Sequence, residues 1–245
     1  MKRIFNYELR RLLVNKFYLC LLIINGFSAW YVLTSDIIAG VAYTAPFSKW
    51  SYGAYISSLM PVLIMTVLFL LTFFYSKNAK KIEPLIKATS VDVIRYTMIR
   101  MAVILLGFMI LLALVAGISF YFYSSFFDFH NYGDFIIPAV VSILPGLILF
   151  MAAGLWAGRI HIGFLYALIP VSLLINISGV PVAFDIFGKG YYSSYPMSPH
   201  LSFAVNGEPL FVLNQAFLIT RLIYIVIGAA LFFLYVLRLN KSAIR

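Results

Sequence analysis

The sequence predicts an all-α membrane protein, with an N-terminal amphipathic interfacial helix followed by six transmembrane helices. Three observations predict it. Of the 245 residues, 63% are hydrophobic and only 11% are charged. An ordinary globular domain carries roughly 25% charged residues, so a soluble fold of this composition could not cover its own surface. The apolar residues also collect into runs of about 20, the length that crosses ~30 Å of hydrocarbon at 1.5 Å per residue. Finally, the runs lack the apolar/polar alternation of barrel strands, which leaves helices. A water-soluble enzyme is excluded, and residues 1–245 read as a single transmembrane domain.

The first element is residues 1–16. Ile4, Phe5, Leu9, Leu12 and Leu13 recur at spacings of three and four and share one helical face, while Arg10 and Arg11 join Lys2, Arg3, Asn6 and Asn15 on the other. A basic amphipathic helix just before a span lies in the headgroup plane with its cations toward anionic lipid. The six spans follow as Phe17–Thr34, Gly53–Tyr75, Met101–Tyr123, Phe135–Gly158, Ile162–Val182 and Leu218–Leu237. The first is too long for a signal peptide and no small-x-small cleavage site precedes Trp30, so it is expected to stay.

Orientation comes from charge. Of the 18 Lys+Arg, only Lys49, Lys189 and Arg221 fall on one side of these spans. The rest cluster before span one, between spans two and three, at Arg159 and after span six, so both termini are expected in the cytoplasm of a cell whose plasma membrane holds the chain. The formal net charge of +10 then reports topology and attraction to membrane lipid, not nucleic acid. With a single cysteine, Cys20, no intrachain disulfide is possible.

Between spans two and three, residues 76–100 form the cytoplasmic coupling region. Ile82, Leu85 and Ile86 have helical spacing, flanked by Lys81, Glu83 and Lys87, and Pro84 suits a first helical turn. Ser90 with Asp92 marks a second helix start. An apolar patch held among charges between two spans suits a soluble partner. On the other side, residues 183–217 carry Phe184, Phe187, Tyr191, Tyr192, Tyr195, Phe203 and Phe211, interrupted by Pro196, Pro199 and Pro209. Aromatic residues favour the lipid–water interface, so short helices re-entering the outer leaflet or capping the bundle are expected there.

Catalytic signatures are missing: there is no phosphate loop, H-E-x-x-H or G-x-S-x-G. Asp128, His130 and Asp134 fall in a loop expected to be wet, which suits solvation better than a metal. Ionisable residues near span centres are absent, and Arg221, close to the outer end of span six, is expected to snorkel to the headgroups. In span two, Tyr55, Ser58, Thr66 and Phe69 fall within one arc, and in span five Ser172 and Asn176 share a face with Gly179. These faces are candidates for a translocation pathway; taken singly, each residue is more simply a helix-packing one.

The layout resembles the membrane subunit of an ABC-2-type exporter. The likeness spans nearly the whole chain: elbow helix, six spans, a cytoplasmic hairpin between spans two and three, a tight inner turn at Gly158–His161 and a re-entrant outer segment. Ile82-Glu83-Pro84-Leu85-Ile86-Lys87-Ala88-Thr89-Ser90, leading into Arg95 and Arg100, is the most family-like stretch. Many members have a proline in the turn where this chain has Ala88-Thr89-Ser90. The resemblance implies a separate cytoplasmic ATP-binding subunit that carries the ATP and magnesium and docks at Ile82–Lys87 and at the elbow residues Phe5, Leu9, Arg10 and Arg11. It also implies a second copy of this chain or a related permease around the pathway. This chain itself then binds no cofactor and is not an enzyme; nothing outside the spans reaches the ~50 residues of a small domain. Short family members act in peptide-antibiotic immunity and in export of amphipathic toxin-like peptides, including phenol-soluble modulins, which suits the uncharged spans. The alternative class is a six-span, substrate-capturing component of a vitamin-type uptake system; an intramembrane enzyme ranks last, lacking a nucleophile or metal dyad.

Overall fold

The computed structural model describes residues 2–75, 93–176, 185–198, 201–203 and 207–243. Among these the regular structure is helical, with no strand beyond an isolated bridge between Phe203 and Pro209. The helices are α1 (Lys2–Leu13), α2 (Lys16–Val32), α3 (Lys49–Thr72), α4 (Val93–Phe127), α5 (Ile136–Ile160), α6 (Ile162–Leu174), α7 (Lys189–Ser194) and α8 (Gln215–Ala243). A π-helical turn, Leu33–Ile37, extends α2, and 3-10 turns at Tyr132–Phe135 and Tyr195–Met197 precede α5 and follow α7.

Local chemistry sets the boundaries. The Asn15 side chain accepts from the Phe17 N–H (3.1 Å) to start α2, and the Ser48 hydroxyl accepts from the Ser51 N–H (3.1 Å) to start α3. Both satisfy donors that a helix start leaves open. One extended residue, His161, separates α5 from α6, and its Nδ1 accepts from the Gly163 N–H (3.0 Å). That accounts for the tight turn after Gly158.

Five helices are long and apolar enough to cross a bilayer: Lys16–Ile37, Lys49–Thr72, Ile94–Phe127, Tyr132–Ile160 and Gln215–Leu239. The chain therefore has the architecture of a multi-pass α-helical membrane protein. Five of the six expected spans fall on these helices. The remaining one, Ile162–Val182, is described as a helix only over Ile162–Leu174. Thirteen residues reach about 20 Å, short of the hydrocarbon thickness; residues 177–182 of that span, with Gly179, lie outside the described residues. The coupling residues Ile82, Glu83, Pro84, Leu85, Ile86 and Lys87, and the Ser90/Asp92 helix start, also lie outside them.

Helix α3 is the axis of the bundle. Within its apolar window 78% of residues are buried by the rest of the chain, against 11% for α8. It packs on α5, α6, α7, α2 and α4, and α8 lies outside it against α5. Close approach of α5 and α8 depends on Gly228, where a Cβ would sit 2.9 Å from the Leu149 nitrogen. Small residues at such crossings are the usual route to tight packing in lipid. Outward faces remain apolar: Leu222, Ile223, Val226 and Phe233 on α8, and Leu19, Ile23 and Phe27 on α2, are exposed, as suits contact with acyl chains or another apolar chain.

Candidate functional site

At the basic end of the bundle, α1 is joined to the foot of α4. Glu8 on α1 is only 7% exposed. Its carboxylate accepts from the Tyr96 hydroxyl (2.8 Å), and it forms ion pairs with Arg11 (3.6 Å) and with Arg100 (3.9 Å). Arg100 then reaches the end of α3: its guanidinium lies 4.0 Å over the Phe74 ring and donates to the Phe73 carbonyl (3.4 Å). One arginine therefore ties together α1, the last residues before 76–92 and the first helix after them. Phe5 and Leu9 pack partly buried on the core, Arg11 is half-buried beside Glu8, and Arg10 is exposed. Nearby, the Tyr75 hydroxyl donates to the Leu155 carbonyl (2.8 Å), linking the end of α3 to α5.

The pathway candidates are distributed differently. Tyr55 and Thr66 are fully buried within α3's packing. Tyr55 donates to the Val115 carbonyl (3.3 Å), and the Thr66 hydroxyl accepts from the Asn25 amide of α2 (2.9 Å). Ser58 is half-buried, and Phe69 packs edge-on against Phe17 at 5.7 Å. Ser172 is buried and donates to the Ile169 carbonyl (2.7 Å); Asn176 is half-buried, with its Oδ1 unpartnered among the described residues. The structure thus joins Thr66 to Asn25, and it does not bring Tyr55 and Thr66 to an open surface.

At the opposite, aromatic end, residues 185–198 fold over the starts of α3 and α8. Asp185 Oδ1 accepts from the Gly188 N–H (2.8 Å) and Oδ2 from the Tyr191 N–H (3.2 Å), while Gly188 takes φ +90°. The resulting turn launches α7. Trp50 is enclosed by Tyr191, Tyr192, Tyr195 and Phe211, and its indole N–H donates to the Pro209 carbonyl (3.1 Å). Ser57 donates to the Phe187 carbonyl (2.8 Å). Gly53 makes room for Tyr192, whose ring carbons would lie 2.5 Å from any Cβ there. Burial raises the Tyr191 and Tyr192 hydroxyls to about 12.

No known family, curated protein or solved structure matches this chain. Function therefore rests on geometry. Here the expectation for Arg221 is corrected. It does not snorkel: it is 3% exposed, donates to the Ile186 carbonyl and lies 4.3 Å over the Phe217 ring. The long-range fold of residues 185–188 covers it, which hydropathy of α8 alone does not reveal. Glu8, Asn25, Ser57 and Trp50 were also missed. For Glu8 a signal existed, a lone carboxylate on an otherwise basic helix; for the others, the partner lies on a distant segment. Among the described residues, no group of three His, Cys, Asp or Glu gathers as metal ligands.

Proposed function

We propose that this chain is the membrane permease subunit of an ATP-driven exporter, working with a separate cytoplasmic ATP-binding subunit and a second permease. It carries amphipathic or hydrophobic peptides, or lipophilic toxins, out across the plasma membrane. In this reading the chain has six spans and both termini are cytoplasmic.

The observation that carries the reading is the Arg100 junction. Ile82–Lys87 lies in sequence between α3 and α4, and the two helix ends that flank it are held to each other and to α1 by Phe74, Arg100 and Glu8. A force applied there by a partner subunit is delivered to α1, α3 and α4 together, and α3 contacts most of the bundle. Such a stiff base is what a lever needs to convert ATP binding on the partner into rearrangement of packed helices.

The test is purification of the full chain from native membrane after mild crosslinking. Recovery of an ATPase, with Glu83→Ala or Leu85→Ala abolishing its coupling to efflux while the chain still inserts, is the expected result. Transport by the chain alone without nucleotide, or tight capture of a small ligand by a monomer as an uptake component would show, overturns it.

A further inference from the structure

Helices α5 and α8 run side by side in one direction. Leu149 meets Gly228, and about two turns further on Trp156 meets Tyr235, with ring centroids 6.4 Å apart. The same register sets Arg159 level with Arg238, one turn nearer the basic end. Each arginine reaches across to the other helix. The Arg238 guanidinium lies 4.8 Å over the Trp156 ring, and that of Arg159 lies 5.9 Å from the Tyr235 ring. Both rings are themselves fixed: the Trp156 indole N–H donates to the Leu231 carbonyl (2.7 Å), and the hydroxyl of buried Tyr235 meets that of Tyr75 at 3.2 Å.

Two guanidinium groups are thus seated at one depth on a shared aromatic platform. A ring face attracts a cation but leaves its in-plane N–H donors to be filled. Among the described residues neither arginine forms an ion pair, and the carboxylate at this end, Glu8, is engaged by Tyr96, Arg11 and Arg100. Both arginine side chains are exposed. Exposed apolar residues run right up to them, Leu234 and Leu237 on α8 and Ile160 beside Arg159. The matching ligand has a compact anion at the guanidinium groups and hydrocarbon along α8. An acidic soluble segment or a free phosphate would satisfy the charge and leave the apolar face bare.

We propose that Arg159 and Arg238 together hold the phosphate of an anionic phospholipid, its acyl chains lying along Leu234 and Leu237. Guanidinium suits phosphate because its planar fork donates two parallel N–H bonds. A phosphocholine head would bring an ammonium against the same two cations. Binding needs neither nucleotide nor a partner subunit, so it stands or falls separately from the exporter reading.

The experiment is native mass spectrometry of the purified full chain in a neutral maltoside detergent. The chain is titrated with dioleoylphosphatidylglycerol or dioleoylphosphatidylcholine, then challenged with inorganic phosphate or polyglutamate. Retention of one phosphatidylglycerol per chain is expected, with phosphatidylcholine held about tenfold more weakly and neither competitor displacing the lipid. This comparison uses the unaltered chain and does not depend on any variant folding. Arg159→Gln and Arg238→Gln should each weaken retention about tenfold, the loss of one charge-assisted contact. Lys16→Gln removes one charge from an exposed side chain at the same end, and retention should be unchanged. Equal retention of the two lipids overturns the proposal. So does displacement by phosphate or by polyglutamate, as a free-anion or acidic-protein site would show, or equal weakening by Lys16→Gln, as diffuse attraction would show.

Discussion

The Glu8 carboxylate of α1 faces the Arg100 guanidinium of α4 at 3.9 Å, with both side chains largely withdrawn from solvent. That separation exceeds a hydrogen bond, so the attraction is coulombic, while the Tyr96 hydroxyl supplies the hydrogen bond to the same carboxylate. The two contributions separate by substitution. Glu8→Gln keeps an acceptor for Tyr96 and removes the charge, and should cost about 1 kcal/mol. Glu8→Ala removes both, and among the described residues leaves Arg100 without a facing carboxylate, and should cost about 2–3 kcal/mol. Thermal unfolding in detergent measures both; no loss in Glu8→Gln would show that the charge contributes nothing, and equal losses that the Tyr96 hydrogen bond contributes nothing.

The buried pair of Asn25 and Thr66 makes a second prediction. Thr66→Val leaves one Asn25 amide proton without its acceptor, since the other is directed to the Leu21 carbonyl (2.8 Å). Interhelical hydrogen bonds in membranes average about 0.6 kcal/mol with an upper range near 2, and Thr66→Val should fall within that range. Asn25→Leu/Thr66→Val should recover most of the loss, because two apolar groups replace a half-made bond. A double-mutant cycle on α2–α3 stability reads the coupling; strict additivity would deny it.

Much of this architecture was legible and some of it was not, for identifiable reasons. Helix positions followed from run length, because lipid demands internally satisfied backbone. The elbow followed from the spacing of Phe5, Leu9 and Leu12. What hydropathy does not encode is which face meets which. Thr66 was visible as a polar residue in α3, but its partner Asn25 lies in a helix with no distinct polar face. Arg221 read as interfacial because its cover, residues 185–188, approaches from a distant segment. The fifth expected span is helical as far as Leu174 and described as far as Asn176, where apolar continuity of the sequence suggested more.

Gly53 tests how the aromatic cap docks. A Cβ there would lie 2.5 Å from the Tyr192 ring, and Tyr192 is fully buried with little room to yield. Gly53→Ala should therefore cost about 1–3 kcal/mol by overpacking. Tyr192→Ala carries its own cavity penalty, but in that background the added methyl of Gly53→Ala should cost almost nothing. Stability of the four variants decides it, and undiminished cost in the Tyr192→Ala background would mean that the strain lies elsewhere.

Alkaline pH should loosen the same cap. Tyr191 and Tyr192 ionise at about 12 because burial penalises the phenolate, whereas an unfolded tyrosine ionises near 10. The folded cap thus holds its protons while the unfolded chain releases them. The stabilisation is complete below pH ~10 and is lost progressively as pH rises toward 12. Tyrosinate absorbance should show a late-titrating fraction, diminished in Tyr191→Phe/Tyr192→Phe, and cap proteolysis should rise over the same interval. Ionisation of those two hydroxyls at the ordinary value would refute this.

The last prediction concerns an asymmetry between Asp185 and Arg221. Asp185 is nearly buried yet receives two backbone N–H donors, so its charge is satisfied within its own turn. Arg221 has the Ile186 carbonyl and the Phe217 face, while its Nε and second terminal nitrogen are buried without hydrogen-bond partners among the described residues. A buried, incompletely satisfied cation is close to break-even against an apolar residue of similar volume. Arg221→Met should therefore change stability by no more than about 1 kcal/mol. Asp185→Ala removes both turn-closing acceptors and the anionic charge near Arg221, and should cost about 2–4 kcal/mol. It should also expose residues 185–198 to protease, whereas Asp185→Ala in an Arg221→Met background should cost less. If Arg221→Met proved the more damaging substitution, the cap would be held by the cation, and the turn built on Asp185 would be secondary.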